Sequence, residues 1–397
     1  MNSKFIFFLL LGLDALILFI ETSHISISYN EALLLYGNFS FLKQITNFFI
    51  AIFGSNDFGL RFAMILFHLM SVVLMYLISK RYLHSDRNRL WLVFIFILLP
   101  GVVSSALIVN HAGIIIFGLL LYIYLSDIFK LKYTNVLLFI YAIIDPGFAY
   151  LFVGLAIYYL YAKNKLMAFF NLFLYILVVN IYTIKIDGMP RGHFLDVLGI
   201  YSAIFTPIIF IYIFYVLYKR YLSDNIDKLW FLSTTALLIS LVLSFRQRIN
   251  IEVFAPYLII SLPLAAQTFI SSYRVRLKEH RKNYRLLFII SVVLLLLNTL
   301  VVFFNKELYL VIENPKKHFA YDMDVAKKLS KVLKARNINC VKSDYKMQLR
   351  LKFYGIKECS IYTLKELPLS DNKANNVTIS YRNKDIYKAN VTKINNR

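Results

Sequence analysis

Along this chain, long apolar runs alternate with short polar stretches. The runs fall at about 4–20, 60–79, 90–108, 112–129, 134–145, 147–162, 166–184, 197–218, 229–245, 251–272 and 286–304. A run of about 18 apolar residues spans a hydrocarbon core of about 30 Å, so the pattern predicts about eleven transmembrane helices. The first run, "FIFFLLLGLDALILFI", carries Asp14 at its middle and lacks a small-residue cleavage site. It therefore reads as a retained span and not as a signal peptide. The fifth and sixth runs are short and meet at Asp145-Pro146-Gly147, as in a helical hairpin whose tip stops at the outer interface.

After Asn305 the pattern changes. "DMDVAKKLSKVLKARNI" has apolar residues at helical spacing, acids at its start and bases at its end, as the helix dipole favours. "NCVKSD" reads as a strand, "YKMQLRLKFYGI" as a helix ended by Gly355, and "ECSIYTL" as a second strand. The order β-α-β predicts a small α/β domain with a parallel strand pair, followed by a polar stretch with one or two edge strands. The expected division is thus a membrane domain over 1–304, with an interfacial helix in a first loop at about 21–59, and an α/β domain over 305–397.

Composition agrees: 59% of the 397 residues are hydrophobic, beyond any ordinary soluble domain. Charge adds an orientation. Lys and Arg cluster in "KRYLHSDRNR", "KLK", "KNK", "YKRY" and "RVRLKEHRKNYR", in alternate loops. The positive-inside rule then places the N-terminus in the cytoplasm, and an odd number of spans places the C-terminal domain outside. The net charge of +22 has its other source in that tail. The basic segments of the inner loops attract anionic lipid heads. They are membrane-flanked loops and not a compact basic domain, so nucleic acid is excluded as a partner. The only cysteines, Cys340 and Cys359, both lie in the outer tail. Adjacent parallel strands would bring them within disulfide range, and the alternative is two buried thiols.

The first outer loop holds an unusual pattern: Asn30-Glu31, then Tyr36, then the amphipathic "FLKQITNFFIAIFG", then Arg61 opening the next span. A later segment, "RQRINIEVFAPYLIISLP", carries Arg246, Arg248, Pro256, Tyr257 and Pro263, and the tail contains "FYG". Taken together, these features resemble the GT-C glycosyltransferases that use polyprenyl-phosphate sugars, in particular the lipid A aminoarabinose transferase and protein O-mannosyltransferase group. The resemblance covers most of the chain, through motifs that are each short. It implies an all-α polytopic membrane fold with a small extracytoplasmic α/β domain. It also implies sugar transfer from a lipid-linked donor to an envelope lipid, glycan or protein at the outer face of a bacterial inner membrane. It places catalysis at Asn30 and Glu31, and substrate binding at Arg61, Asn110, His111, Arg246, Arg248 and Tyr257. It calls for no cofactor beyond the donor, and a divalent-metal requirement stays open.

The chemistry suits such a loop. Cations at the outer ends of spans can hold an anionic phosphate leaving group, and a carboxylate can act on the acceptor as base or orienter. Here the sequence departs from the family. Asn30 stands where the family has Asp. "VNHAG" has Asn110 and His111 where related enzymes often carry an acid. An amide cannot take a proton at neutral pH. Three explanations stand side by side: Glu31 is the base, the acceptor is already anionic, or the protein is a non-catalytic relative.

Each residue also has a structural reading. Glu31 can be a helix N-terminal charge, Arg61 a loop anchor, and Arg246 or Arg248 a partner of Glu252. Asp14, near the bilayer middle, reads as a protonated core group, with a functional role as the alternative. His24, His111 and His193 lie on different outer loops, too dispersed in sequence to argue for a metal. The chain shows no phosphate-binding Gly-rich loop, GxSxG, CxxC or HExxH. A transporter or flippase is the alternative, with a membrane scaffold of envelope glycan assembly as a third reading. The absence of repeated halves, and polar residues gathered at loop ends, favour surface chemistry.

Overall fold

The structure, a computed structural model, describes residues 3–129, 131–183, 192–369 and 376–393. In chain order the helices are α1 (Ser3–His24), α2 (Tyr29–Tyr36), α3 (Phe41–Phe53), α4 (Asp57–Tyr82), α5 (Asp86–Leu98), α6 (Pro100–Leu107), α7 (His111–Ile128) and α8 (Leu131–Ile144). A 3-10 turn over Pro146–Phe148 leads to α9 (Ala149–Tyr161), α10 (Lys165–Tyr182), α11 (Phe194–Phe205), α12 (Pro207–Leu222), α13 (Lys228–Ser244), α14 (Ile251–Ile259), α15 (Leu262–Val275) and α16 (Lys278–Phe303). Then come α17 (Leu308–Val311), α18 (Ala326–Ala335), α19 (Tyr345–Phe353), β1 (Tyr362–Glu366), β2 (Asn376–Tyr381) and β3 (Lys384–Lys393).

Each expected span meets a helix or a helix pair, apart from Ile184 at the end of the seventh, which lies outside the described residues. Among the described residues, 6 helices are long and apolar enough to cross a membrane, and up to 8 if each bent pair is one span. The bends have sequence causes. Pro100 and Pro207 lack an N–H and push the preceding residue out of the helical region. Leu99 accordingly sits at φ −63°, ψ 124°, and the α5–α6 break bends by 59°. Thr206 sits at φ 65°, ψ 147°, and the α11–α12 break bends by 105°. The count of eleven rests on three shorter apolar helices, Tyr133–Ile144, Pro146–Tyr161 and Lys228–Ser244. A fourth short one, α3, is the helix expected at the interface.

The chain forms two units, residues 1–16 with 64–299, and residues 17–63 with 300–397. The second unit holds the first loop together with the C-terminal residues. The cause is a set of bonds that the sequence does not advertise: Ser26 N to Met323 O at 2.8 Å, Ile27 N to Tyr354 Oη at 2.9 Å, and Lys327 Nζ to Asp57 at 2.6 Å.

In the first unit, α9 packs against α10 and α13, and α14 lies against α7 and α13. Ile115, Leu119, Leu151, Phe152, Leu232 and Leu258 are buried among them. Asp14 is buried and meets His68 Nε2 at 2.7 Å. On α16, Leu286, Ile289 and Leu297 stay exposed, as on a lipid-facing helix.

In the second unit, β1, β3 and β2 form an antiparallel sheet in that order. This corrects the expected topology. Among the described residues the parallel pairing survives as isolated bridges, Cys340 with Lys357 and Lys342 with Thr363. The polar tail, expected to supply edge strands, supplies the central one. Antiparallel partners need only a tight turn, here the two residues between Tyr381 and Lys384, so the hairpin β2–β3 forms locally and β3 adds to β1. Val341, Leu351, Ile356, Val377, Ala389 and Tyr309 are in the core of this unit. Helix α19 ends before Gly355 at φ +83°, where a side chain would be strained. Cys340 and Cys359 form a disulfide with Cα atoms 5.5 Å apart.

Candidate functional site

The first loop is built from its caps. Ser28 ends the chain's extended stretch, and its hydroxyl accepts from Glu31 N, while Glu31 Oε2 accepts from Ser28 N at 2.8 Å. This reciprocal capping box starts α2 and fixes Glu31 on its inner side. Arg61, on the first turns of α4, then closes on it. Its Nε donates to Glu31 Oε1 at 3.0 Å and its Nη2 to Oε2 at 2.7 Å, while Nη1 and Nη2 also donate to the carbonyls of Ile25 and Ser26. Both side chains have no exposure. The pair is bidentate and dry, and the loop is wrapped onto it.

Asn30, one residue earlier, is exposed on α2. Tyr36 is half-buried under the Lys352 ammonium, 4.4 Å from its ring centre. The "FYG" motif acquires a role that sequence reasoning missed. The Tyr354 hydroxyl donates to Asp57 at 2.5 Å and accepts from Ile27 N. Burial, with the Asp57 carboxylate beside it, holds that hydroxyl above the ordinary phenol range, so it remains a donor.

The other expected residues belong to the first unit. Asn110 caps α7, its side-chain oxygen accepting from Gly113 N at 3.3 Å. His111 follows, with 32% of its side chain exposed, and its Nδ1 lies 2.6 Å from Oδ2 of Asp145. Asp145 is buried and starts the Pro146–Phe148 turn by accepting from Gly147 N through Oδ1 at 2.7 Å. Pro146 occupies the first helical position, where its missing N–H costs nothing. A β-carbon at Gly147 would run into the Ile115 side chain and crowd Asp145 Oδ1. The buried Tyr257 hydroxyl donates to Gly147 O at 2.7 Å, which ties α14 to the same turn. Tyr257 itself is buried.

Arg246 and Arg248 are exposed in the segment before α14, and among the described residues neither has an ion pair or side-chain hydrogen bond. Neither pairs with Glu252, which is exposed at the start of α14 and lies within electrostatic range of His111. His193 N donates to Ser244 O, which brings the start of α11 to the end of α13. No group of three or more His, Cys, Asp or Glu is placed to hold a metal among the described residues.

Asp145 is the functional candidate that sequence reading missed. Its signal was an acid immediately before Pro-Gly, read only as a hairpin tip.

No family model and no curated protein sequence matches the chain. Among solved structures, it is similar to ArnT from Cupriavidus metallidurans in the apo state, with a TM-score of 0.52 over 89% of this chain and 75% of that one. The chain shares the ArnT fold. At 13% identity the likeness is one of architecture. ArnT is a lipid A aminoarabinose transferase of the GT-C superfamily, the group that the first-loop and late-span motifs resemble.

Proposed function

We propose that this protein is a GT-C-type membrane glycosyltransferase. It moves a sugar from a polyprenyl-phosphate donor onto an envelope lipid, glycan or protein at the outer face of the cytoplasmic membrane. The N-terminus is cytoplasmic, the C-terminal domain is outside, and about eleven spans separate them. The observation that carries this reading is the ArnT fold over 89% of the chain.

Two features support it. Arg246 and Arg248 are exposed guanidinium groups, without an ion pair among the described residues, on the side that loop charge assigns to the exterior, where a lipid phosphate lies. In the second unit, Glu31 and Arg61 hold the first outer loop in shape and leave the exposed Asn30 amide to face substrate. Glu31 is then a positioning residue. Its two oxygens are taken by Arg61 and Ser28, which leaves little scope for it as a base.

The test is donor-lipid binding. Purified protein in detergent should retain undecaprenyl phosphate in native mass spectrometry. Arg246→Ala and Arg248→Ala should each weaken that complex by about 10-fold or more, from charge-assisted bonds of about 1.5–3 kcal/mol. Unchanged binding in the double variant removes the phosphate assignment. The amide at Asn30 favours a second reading, a non-catalytic scaffold, which predicts binding of the lipid without turnover.

A further inference from the structure

We infer that His111 and Asp145 form the acid–base dyad of the transfer reaction; this rests on the transferase reading above. A carboxylate only accepts, so the contact from Asp145 Oδ2 to His111 Nδ1 at 2.6 Å fixes the proton on Nδ1. Nε2 then carries the lone pair, and among the described residues it has no partner. The side chain is 32% exposed while its carboxylate is 3% exposed. A reactive edge is therefore open, with its orienting acid shielded behind it.

The orientation is over-determined. Asp145 Oδ1 is held by Gly147 N, Gly147 O by the Tyr257 hydroxyl, and the imidazole sits on the first residue of α7, beside the Asn110 cap. A histidine that served only to join α7 to the turn would not need an unpaired, open nitrogen. Arg246 and Arg248 precede α14, the helix packed on α7, so these exposed cations and the base belong to neighbouring segments of one unit.

The step balances with the donor and acceptor alone. The acceptor hydroxyl gives its proton to His111 Nε2. Its oxygen forms a bond to the anomeric carbon of the sugar. The bond from that carbon to the phosphate oxygen breaks, with its electron pair leaving on the polyprenyl phosphate. The imidazolium returns the proton to water. His111 is the catalytic residue, and Asp145 is a positioning residue that sets the tautomer.

Two measurements test this on the full chain in lipid nanodiscs. The first needs no sugar substrate: diethyl pyrocarbonate at neutral pH, read by peptide mass spectrometry, should modify His111. An unmodified His111 shows a closed nitrogen and overturns the inference. The second uses a detergent extract of the host envelope, which carries polyprenyl-phosphate sugars together with lipid, glycan and protein acceptors, with release of undecaprenyl phosphate as readout. His111→Asn keeps a side-chain nitrogen to donate to Asp145 but no base, and should lower turnover by about 10²-fold or more while undecaprenyl phosphate binding stays unchanged. His111→Ala should be partly restored by added imidazole, which a bracing role would not produce. Asp145→Asn should lower turnover with little change in KM. Wild-type turnover with an unimpaired His111→Asn overturns the dyad and leaves the transferase reading standing. No turnover by the wild type, with lipid bound or not, overturns both.

Discussion

At the residue scale, the decisive pair is Glu31 and Arg61. Their side chains are fully buried and bidentate, and removing one charge strands the other in a dry site. Breaking such a pair costs about 3–5 kcal/mol, whereas replacing both partners with apolar groups is often near neutral. Glu31→Gln should therefore lower the melting temperature in nanodiscs sharply, and Glu31→Gln with Arg61→Met should recover most of the loss. Asn30→Ala, at an exposed position, should stay within about 0.5 kcal/mol of wild type. A Glu31→Gln protein that melts like wild type but has lost turnover would return Glu31 to the role of base.

The sequence made both residues legible as a motif, because Asn30, Glu31, Tyr36 and Arg61 keep a recognisable spacing. It did not reveal that the acid and the arginine neutralise each other, because that depends on the chain folding back over 30 positions. Asp145 was harder still. What makes it a site residue is a contact 34 positions away and a turn braced by Tyr257, 110 positions from Gly147.

At the element scale, the apolar runs located the helices well, since length and hydropathy are local properties. The bends were present in the sequence as Pro100 and Pro207, but their angles depend on neighbours. The tail shows where local reading stops. The helices α18 and α19 and the glycine after them were legible from periodicity. The strand partners were not, because pairing between β1 and β3 is non-local and the tail's polarity disguised a central strand.

Two predictions belong here. The disulfide closes a separation of 19 residues, for which the chain-entropy model gives about 3 kcal/mol. Non-reducing peptide mapping should recover Cys340 linked to Cys359 in protein made in its native membrane, and two free thiols would contradict it. Tyr354→Phe removes the acceptor of the Ile27 amide and the donor to Asp57. Hydrogen exchange at Ile27 should accelerate by about tenfold or more, the equivalent of about 1.4 kcal/mol of local protection. Unchanged exchange would show that the loop does not depend on that tie.

At the scale of the whole molecule, the account predicts an orientation and a reaction. Loop charge places Ser223 inside and Thr392 outside, and both are exposed. Ser223→Cys should be protected from an impermeant maleimide in intact cells and Thr392→Cys labelled; the reverse would invert the topology and remove the outer-face argument. The central claim is sugar transfer from a lipid phosphate. Its most direct measurement is mass spectrometry of envelope lipids and glycans from cells with the gene, without it, and with the His111→Asn variant. The account predicts a glycosylated envelope product present only with the active gene, with its polyprenyl-phosphate sugar precursor accumulating in the other two. Identical product and precursor profiles in all three would contradict it.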